Sequence, residues 1–424
     1  MNAVFTLASR RSRRLAARVG RRLSQTKVNV PADLRSVVRI GDEERTGLDL
    51  EPVWGQVERL YSVGLHPAIA LCVRHRGRVV LDRTIGHVDN QPGALVPGAV
   101  ATPDTLFSLF SASKIMTAVV VHALIEDGLM DLDQRMVDVL PEMDRHGKDA
   151  IRLRHLLNHT AGIPSVPAGL DTEETLRTGK VDLGLLAELV PTHAPGVDVA
   201  YHPITSWLLI AEMVERITGK DLRALLGERI LAPLGFDGLT YGVAPEQVDR
   251  VAKHAYTGPK LPQVLDRIFE RTIGAGTELM ELTNQPEFLT GVHPSANVIG
   301  TAREAARFMD LLRCGGELDG VRVLQEQTLH RAWTDVTPRQ LDSTFGLPMQ
   351  YGLGTMMGGW FSLFGLGTTG SYGHLGLSNV VVYADPRRDL SVAFLNTGKP
   401  VIAPGMLHWA ATLQRIVLAA RRAA

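Results

Sequence analysis

Stretches that read as β-strand stand near both ends of this chain, and a long helical pattern separates them. Any fold must therefore bring the two ends together to complete one sheet. Near the start, Ala68-Ile69-Ala70-Leu71-Cys72-Val73 and Val79-Val80-Leu81 flank the turn residues Arg76-Gly77-Arg78, the pattern of an antiparallel hairpin. Near the end, residues 373–396 hold two β-rich runs split by Asp385-Pro386-Arg387-Arg388, and a terminal helix follows. Residues 206–217 and 221–230 carry helical patterns, punctuated by Gly219 and by Pro233-Leu234-Gly235. Residues 53–63 and 301–312 read as helices next to the strands. The expectation is an α/β fold of the α+β type. Its antiparallel sheet would come from residues of about 50–110 and 296–424, flanked by helices, with a mainly helical insertion over about 111–295.

With 424 residues, 45% hydrophobic and 21% charged, the chain has the make-up of a globular protein, and residues 41–424 are expected to form one functional unit. The formal charge is zero, yet Arg10, Arg11, Arg13, Arg14, Arg18, Arg21, Arg22 and Lys27 crowd the first 27 residues without an acid among them. The remainder is net acidic, which argues against a nucleic-acid partner. Residues 1–40 thus read as a basic leader. On a helical wheel Val4, Ala8, Leu15, Val19 and Leu23 share one side and most arginines the other, a pattern suited to peripheral contact with an anionic membrane; a flexible leader with no docking site is the alternative. The segment after Arg22 is polar, unlike a secretory signal, and no apolar run reaches the roughly 18 residues of a membrane span. The expected location is cytoplasmic, with or without membrane association. Cys72 and Cys314 match no metal or redox spacing and are expected to be buried, reduced thiols.

The chemistry concentrates at Ser111-Ala112-Ser113-Lys114, an S-x-x-K pattern opening a helix that runs to about Asp127 with Gly128 as its cap. Residues three apart share a helical face, so the Lys114 amine falls beside the Ser111 hydroxyl. The positive end of the helix dipole favours a developing alkoxide there. Alone the tetrapeptide is weak: Ser24-Gln25-Thr26-Lys27 matches it too, and a helix-capping serine with an exposed lysine would look the same.

The surrounding landmarks decide between these readings. They are Thr105-Leu106-Phe107, then Ile151 through His155-Leu156-Leu157-Asn158-His159-Thr160-Ala161-Gly162-Ile163, Pro195-Gly196 leading to Tyr201, Thr218-Gly219, Ile230 through Pro233-Leu234-Gly235, and Gly373-His374-Leu375-Gly376. In this order and spacing, from about Ala68 to Gly398, the chain resembles the serine β-lactamase family, in particular the class C-related branch that includes esterases, D-amino-acid peptidases and transesterases.

The resemblance implies roles for particular residues. Ser111 would be the acylated nucleophile, and Tyr201 its proton acceptor, held near a positive Lys114 that favours the phenolate. The family's Y-x-N stands here as Tyr201-His202-Pro203, so the amide that helps bind a β-lactam side chain is missing. The family's K-T-G stands as His374-Leu375-Gly376, with histidine, at most a partial cation at neutral pH, in place of lysine. Gly376 would let the strand approach the ligand, and the Ser111 and Leu377 N–H groups would form the oxyanion hole. The apolar run 358–365, Trp360 included, could line an acyl pocket, form core, or touch lipid. His155 and His159 lie four apart without a third ligand nearby, so no metal and no cofactor is expected. The implied function is hydrolysis of small carboxylic esters through an acyl-enzyme, or transesterification. The alternatives are a β-lactamase or D-amino-acid peptidase, and a non-catalytic scaffold.

Overall fold

The computed structural model describes residues 27–167, 175, 179–259, 263, 279–377, 379–400 and 405–421. A seven-stranded antiparallel sheet forms its centre, in the order β1-β3-β2-β14-β13-β12-β11. Three strands come from the start of the chain: β1 (Val38–Ile40), β2 (Ala68–His75) and β3 (Arg78–Gly86). Four come from its end: β11 (Met356–Met357), β12 (Tyr372–Gly376), β13 (Val380–Asp385) and β14 (Leu390–Asn396). The two groups join where β14 pairs with β2, from Leu390 opposite His75 to Asn396 opposite Ile69. Fold class and two-ended assembly are as the sequence implies.

Two details differ. Residues 373–396 make three strands rather than two, because the chain also reverses after Gly376, where Asn379 takes a left-handed φ of 72°. Within the span read as leader, residues 38–40 pair with β3 at the sheet edge.

Strand alternation divides the core. Ala68, Ala70, Cys72, Val382 and Ala393 face one cluster with helix α4 (Ala302–Arg313), while Ile69, Leu71, Val73, Val381 and Phe394 face another with α1 (Glu51–Ser62) and α5 (Met406–Arg421). Both faces are covered, so these strands are apolar throughout, as buried sheets require. Helices α2 (Ser113–Glu126) and α3 (Thr205–Thr218) form the heart of the mainly helical part. That part is not purely helical: β5 (Thr240–Tyr241) and β4 (Phe107–Ser108) pair on either side of β6 (Val298–Gly300). Two hairpins complete the strands, β7 (Glu317–Leu318) with β8 (Val321–Arg322), and β9 (Gln340–Asp342) with β10 (Leu347–Met349). Cys72 is buried as expected, but Cys314 is exposed, because it caps the C-terminus of α4 rather than lying within the helix.

Candidate active site

Ser111 stands where the small sheet hands over to α2. Leu109 N–H donates to Val298 O (2.9 Å), and Val298 N–H donates to Ser113 Oγ (2.9 Å), so β6 grips the chain on both sides of the serine. Between these grips Phe110 adopts φ 48°, a conformation that costs a bulky residue energy and persists only where its surroundings enforce it. Ser111 itself lies in the short 3-10 turn Phe110–Ala112, one step before α2, and is partly open to solvent.

Lys114, one turn on, is fully buried, which excludes the exposed-lysine reading. Its Nζ is hydrogen-bonded to Ser111 Oγ (3.0 Å) and Ser295 O (3.1 Å), and it lies 5.4 Å from the Tyr201 ring and 5.7 Å from that of Trp207 on α3. Burial without a carboxylate partner pushes the ammonium well below its ordinary pKa. Tyr201, also buried, stands beside Ser111, and burial pushes its hydroxyl pKa up while the neighbouring serine lowers it in part. This reverses the charge logic expected from sequence: the amine gives up its proton easily and the phenol keeps its own. A neutral amine at 3.0 Å can take the serine proton directly.

Tyr201 is held by a segment far away in sequence. Buried Asp342, at the end of β9, accepts the Tyr351 hydroxyl (2.9 Å) and the N–H groups of Thr344 (2.8 Å) and Phe345 (2.9 Å). Thr344 Oγ1 donates to Tyr201 O (3.0 Å), and the Phe345 ring stacks on the Tyr201 ring at 4.8 Å. His159 packs against the Tyr201 and Tyr351 rings at 4.7 and 4.6 Å. Sequence reasoning missed Asp342, Phe345 and Tyr351; none lies in a motif, and only their contacts reveal them.

The remaining candidates fall as follows. His374 on β12 is buried, its ring 6.0 Å from that of Tyr201, with Nδ1 donating to Leu375 O (2.6 Å) and Nε2 unpaired among the described residues. Burial, aided by the nearby Lys114, lowers its pKa to about 3, so it is neutral at pH 7. His202 is structural: Nδ1 donates to Ala200 O (2.5 Å) and Nε2 accepts from Ile163 N–H (2.9 Å). His155 and His159 each use Nδ1 to accept a backbone N–H, from Arg152 and His202. Gly376 ends β12 against the Leu109 carbonyl, where even a methyl group would come within 2.2 Å, so Leu377 follows directly beside the serine-bearing turn. Trp360 departs from the pocket-lining expectation: it is 72% exposed, as is its neighbour Phe361 at 73%, and neither is a buried wall. An apolar run reads alike in sequence whether it faces core or solvent.

A partly open serine backed by a buried lysine and tyrosine, between an antiparallel sheet and a helical region, defines a serine hydrolase of the penicillin-recognising kind. The beta-lactamase family model matches residues 57–415, and the chain belongs to that family. It is 28% identical over 343 residues, 77% of this chain and 76% of the relative, to the esterase/beta-lactamase LipL of Mycobacterium tuberculosis. Among solved structures, a penicillin-binding protein homolog from Caulobacter crescentus superposes with TM-score 0.72 at 25% identity, over 88% of this chain and 99% of the other. EstA from Arthrobacter nitroguajacolicus does so with TM-score 0.71 at 25% identity, over 88% and 97%. The chain is an esterase-like serine hydrolase of this family.

Proposed function

We propose that the enzyme cleaves short or medium acyl esters through an acyl-enzyme on Ser111, with Lys114 as base, Tyr201 as proton donor, and the Ser111 and Leu377 N–H groups as oxyanion hole. The observation that carries this reading is the Ser111 hydroxyl 3.0 Å from the buried Lys114 amine, which lies 5.4 Å from the Tyr201 ring. Neutral Lys114 takes the Ser111 proton as Oγ attacks the ester carbonyl. The tetrahedral oxyanion collapses, and the departing alkoxide takes the Tyr201 proton, which the Lys114 ammonium replaces. Water then attacks the acyl-serine, passing its proton to Lys114, and the Lys114 ammonium returns that proton to Ser111 Oγ as it leaves. Another alcohol in place of water gives transesterification.

A β-lactam presents a carboxylate and an acylamino arm in addition. At the positions where the family meets them, this chain has a neutral His374 and Pro203, which has no amide. One absent hydrogen bond to a charged group forfeits about 1.5–3 kcal/mol, or one to two decades of specificity. The name of the LipL relative covers both activities, so a β-lactamase is the second reading. The test is a panel of nitrophenyl esters of graded length run beside nitrocefin, with the label of a fluorophosphonate probe mapped by mass spectrometry. Label on Ser111, and ester kcat/KM far above that for nitrocefin, is expected. Comparable values would replace the ester reading with the β-lactamase one.

Location belongs to the proposal as well. Among the described residues no helix is long and apolar enough to cross a membrane. The basic leader, residues 1–26 of which lie outside the described residues, is proposed to bind anionic vesicles by charge, in a cytoplasmic enzyme. Release by salt would support this, and equal binding to neutral vesicles would refute it.

A further inference from the structure

We propose that the rim of the active site docks on a lipid surface, so that the esters it meets are ones with apolar acyl chains presented there; this rests on the ester reading above. Single exposed apolar residues need no explanation, but a contiguous group of them does. Two neighbouring loops carry such a group. On the 358–367 loop Trp360, Phe361 and Leu366 are exposed, and on the β9–β10 hairpin Leu341, Phe345 and Leu347 are exposed. Arg339 ties the two together, donating from Nη2 to Gly358 O (3.0 Å) and from Nη1 to Pro348 O (3.4 Å).

The aromatic pair is held outward by a frame. Gly367 N–H donates to Trp360 O (2.8 Å), Thr368 N–H to Gly359 O (3.0 Å), and Leu366 N–H to Gln414 Oε1 on α5 (2.7 Å), while the Ser362 and Thr368 hydroxyls pair at 2.7 Å. These bonds hold the loop in the conformation that leaves Trp360 and Phe361 in water. The hairpin similarly turns Asp342 inward and Leu341, Leu347 and Pro348 outward.

Charge points to the occupant. From Val336 to Ala384 the only acidic residue is Asp342, and it is buried under its three donors, so these loops present no carboxylate. Arg339 is exposed and spends its hydrogen bonds on backbone carbonyls, and Arg387, near Gly370, is exposed as well. Apolar side chains beside guanidinium groups without a carboxylate nearby match an acyl layer under phosphodiester headgroups. The adjacent Trp360 and Phe361, 72% and 73% exposed, suit a fluid surface that closes around them better than a rigid partner that must supply matching grooves.

The patch is continuous with the chemistry. Phe345, at its inner edge, stacks on Tyr201, whose ring lies 5.4 Å from the Lys114 amine that bonds Ser111. An ester lifted from the layer would pass Phe345 to reach the serine.

The structure supplies its own reporter. Of the five tryptophans, Trp54, Trp207 and Trp409 are buried and Trp333 is half-buried against Tyr372, leaving Trp360 in water. The full chain is titrated with phosphatidylcholine vesicles at high salt, which removes any charge-driven contribution of the leader. Expected are a blue shift of tryptophan emission, quenching by brominated acyl chains, and loss of both in Trp360→Phe. The double variant Leu341→Ser/Leu366→Ser should weaken vesicle binding about tenfold or more, from the apolar area withheld. It should slow turnover of a vesicle-dispersed ester by a similar factor and leave a soluble nitrophenyl ester unaffected. Soluble ester turned over by the wild type without quenching by brominated lipid overturns the docking proposal alone. The same holds if a concentration-dependent dimer, lost in the double variant, is found in place of vesicle binding. Failure to turn over any ester overturns the ester reading instead.

Discussion

Replacing Gly376 with alanine should separate catalysis from folding more sharply than any other single change in this site. Its ideal Cβ would sit 2.2 Å from the Leu109 carbonyl oxygen and 3.0 Å from the Val380 Cβ. The first contact is with backbone, which cannot rotate aside, and Leu109 is anchored through its own N–H to Val298 O. The strand end must therefore back away by roughly 1 Å, a displacement that can cost about 10²-fold when it falls on catalytic groups. Leu377, the proposed second oxyanion donor, moves with it, and loss of one such donor lowers kcat by about 10²- to 10³-fold, or about 2.7–4 kcal/mol. Gly376→Ala is thus expected to lose kcat in that range on a soluble nitrophenyl ester with little change in KM, while circular dichroism and the thermal midpoint report a folded protein. Gly227→Ala is the control, since a methyl group there meets nothing within 4 Å and its φ of −60° is helical. An undiminished kcat in a folded Gly376→Ala would refute the placement of the oxyanion hole at the end of β12.

Three further outcomes are expected. Lys114→Ala and Tyr201→Phe should each lower kcat by about 10²- to 10⁴-fold, and the double variant by far less than the product, because both serve one proton transfer; multiplicative losses would count against the shared relay. Burial holds Lys114 well below its usual pKa, so its neutral, proton-accepting form is lost as pH falls through that lowered value and regained as pH rises. The acid limb of kcat/KM should therefore persist in His374→Asn, because His374 is already neutral down to about pH 3; disappearance of the limb would reassign it to the histidine. Asp342→Asn keeps one acceptor oxygen but removes the charge that three donors share, which should lower the thermal midpoint and depress kcat more than it raises KM; a loss in stability with kcat intact would reduce Asp342 to a purely structural role.

The features legible in the sequence were those that short-range physics decides. The β2–β3 hairpin follows from two apolar runs around Arg76-Gly77-Arg78, and α2 from an apolar helix closed by Gly128, whose φ is 73°. Ser111 and Lys114 could be paired from sequence because three residues of helix suffice to bring them together. Motif order carried Tyr201 and His374 to the same neighbourhood. The tertiary structure alone decided what depends on burial and on distant contacts. The β9–β10 hairpin clamps Tyr201 across 143 positions through Thr344 Oγ1 and the Phe345 ring, and no local pattern marks that contact. Burial pushes the Lys114 pKa down and the Tyr201 pKa up, against the phenolate expected from the motif, because no motif records desolvation. Trp360 and Phe361 have the composition of a pocket wall and stand in solvent, because hydrophobicity sets the cost of exposure while the hydrogen-bonded frame of their loop sets which way they face.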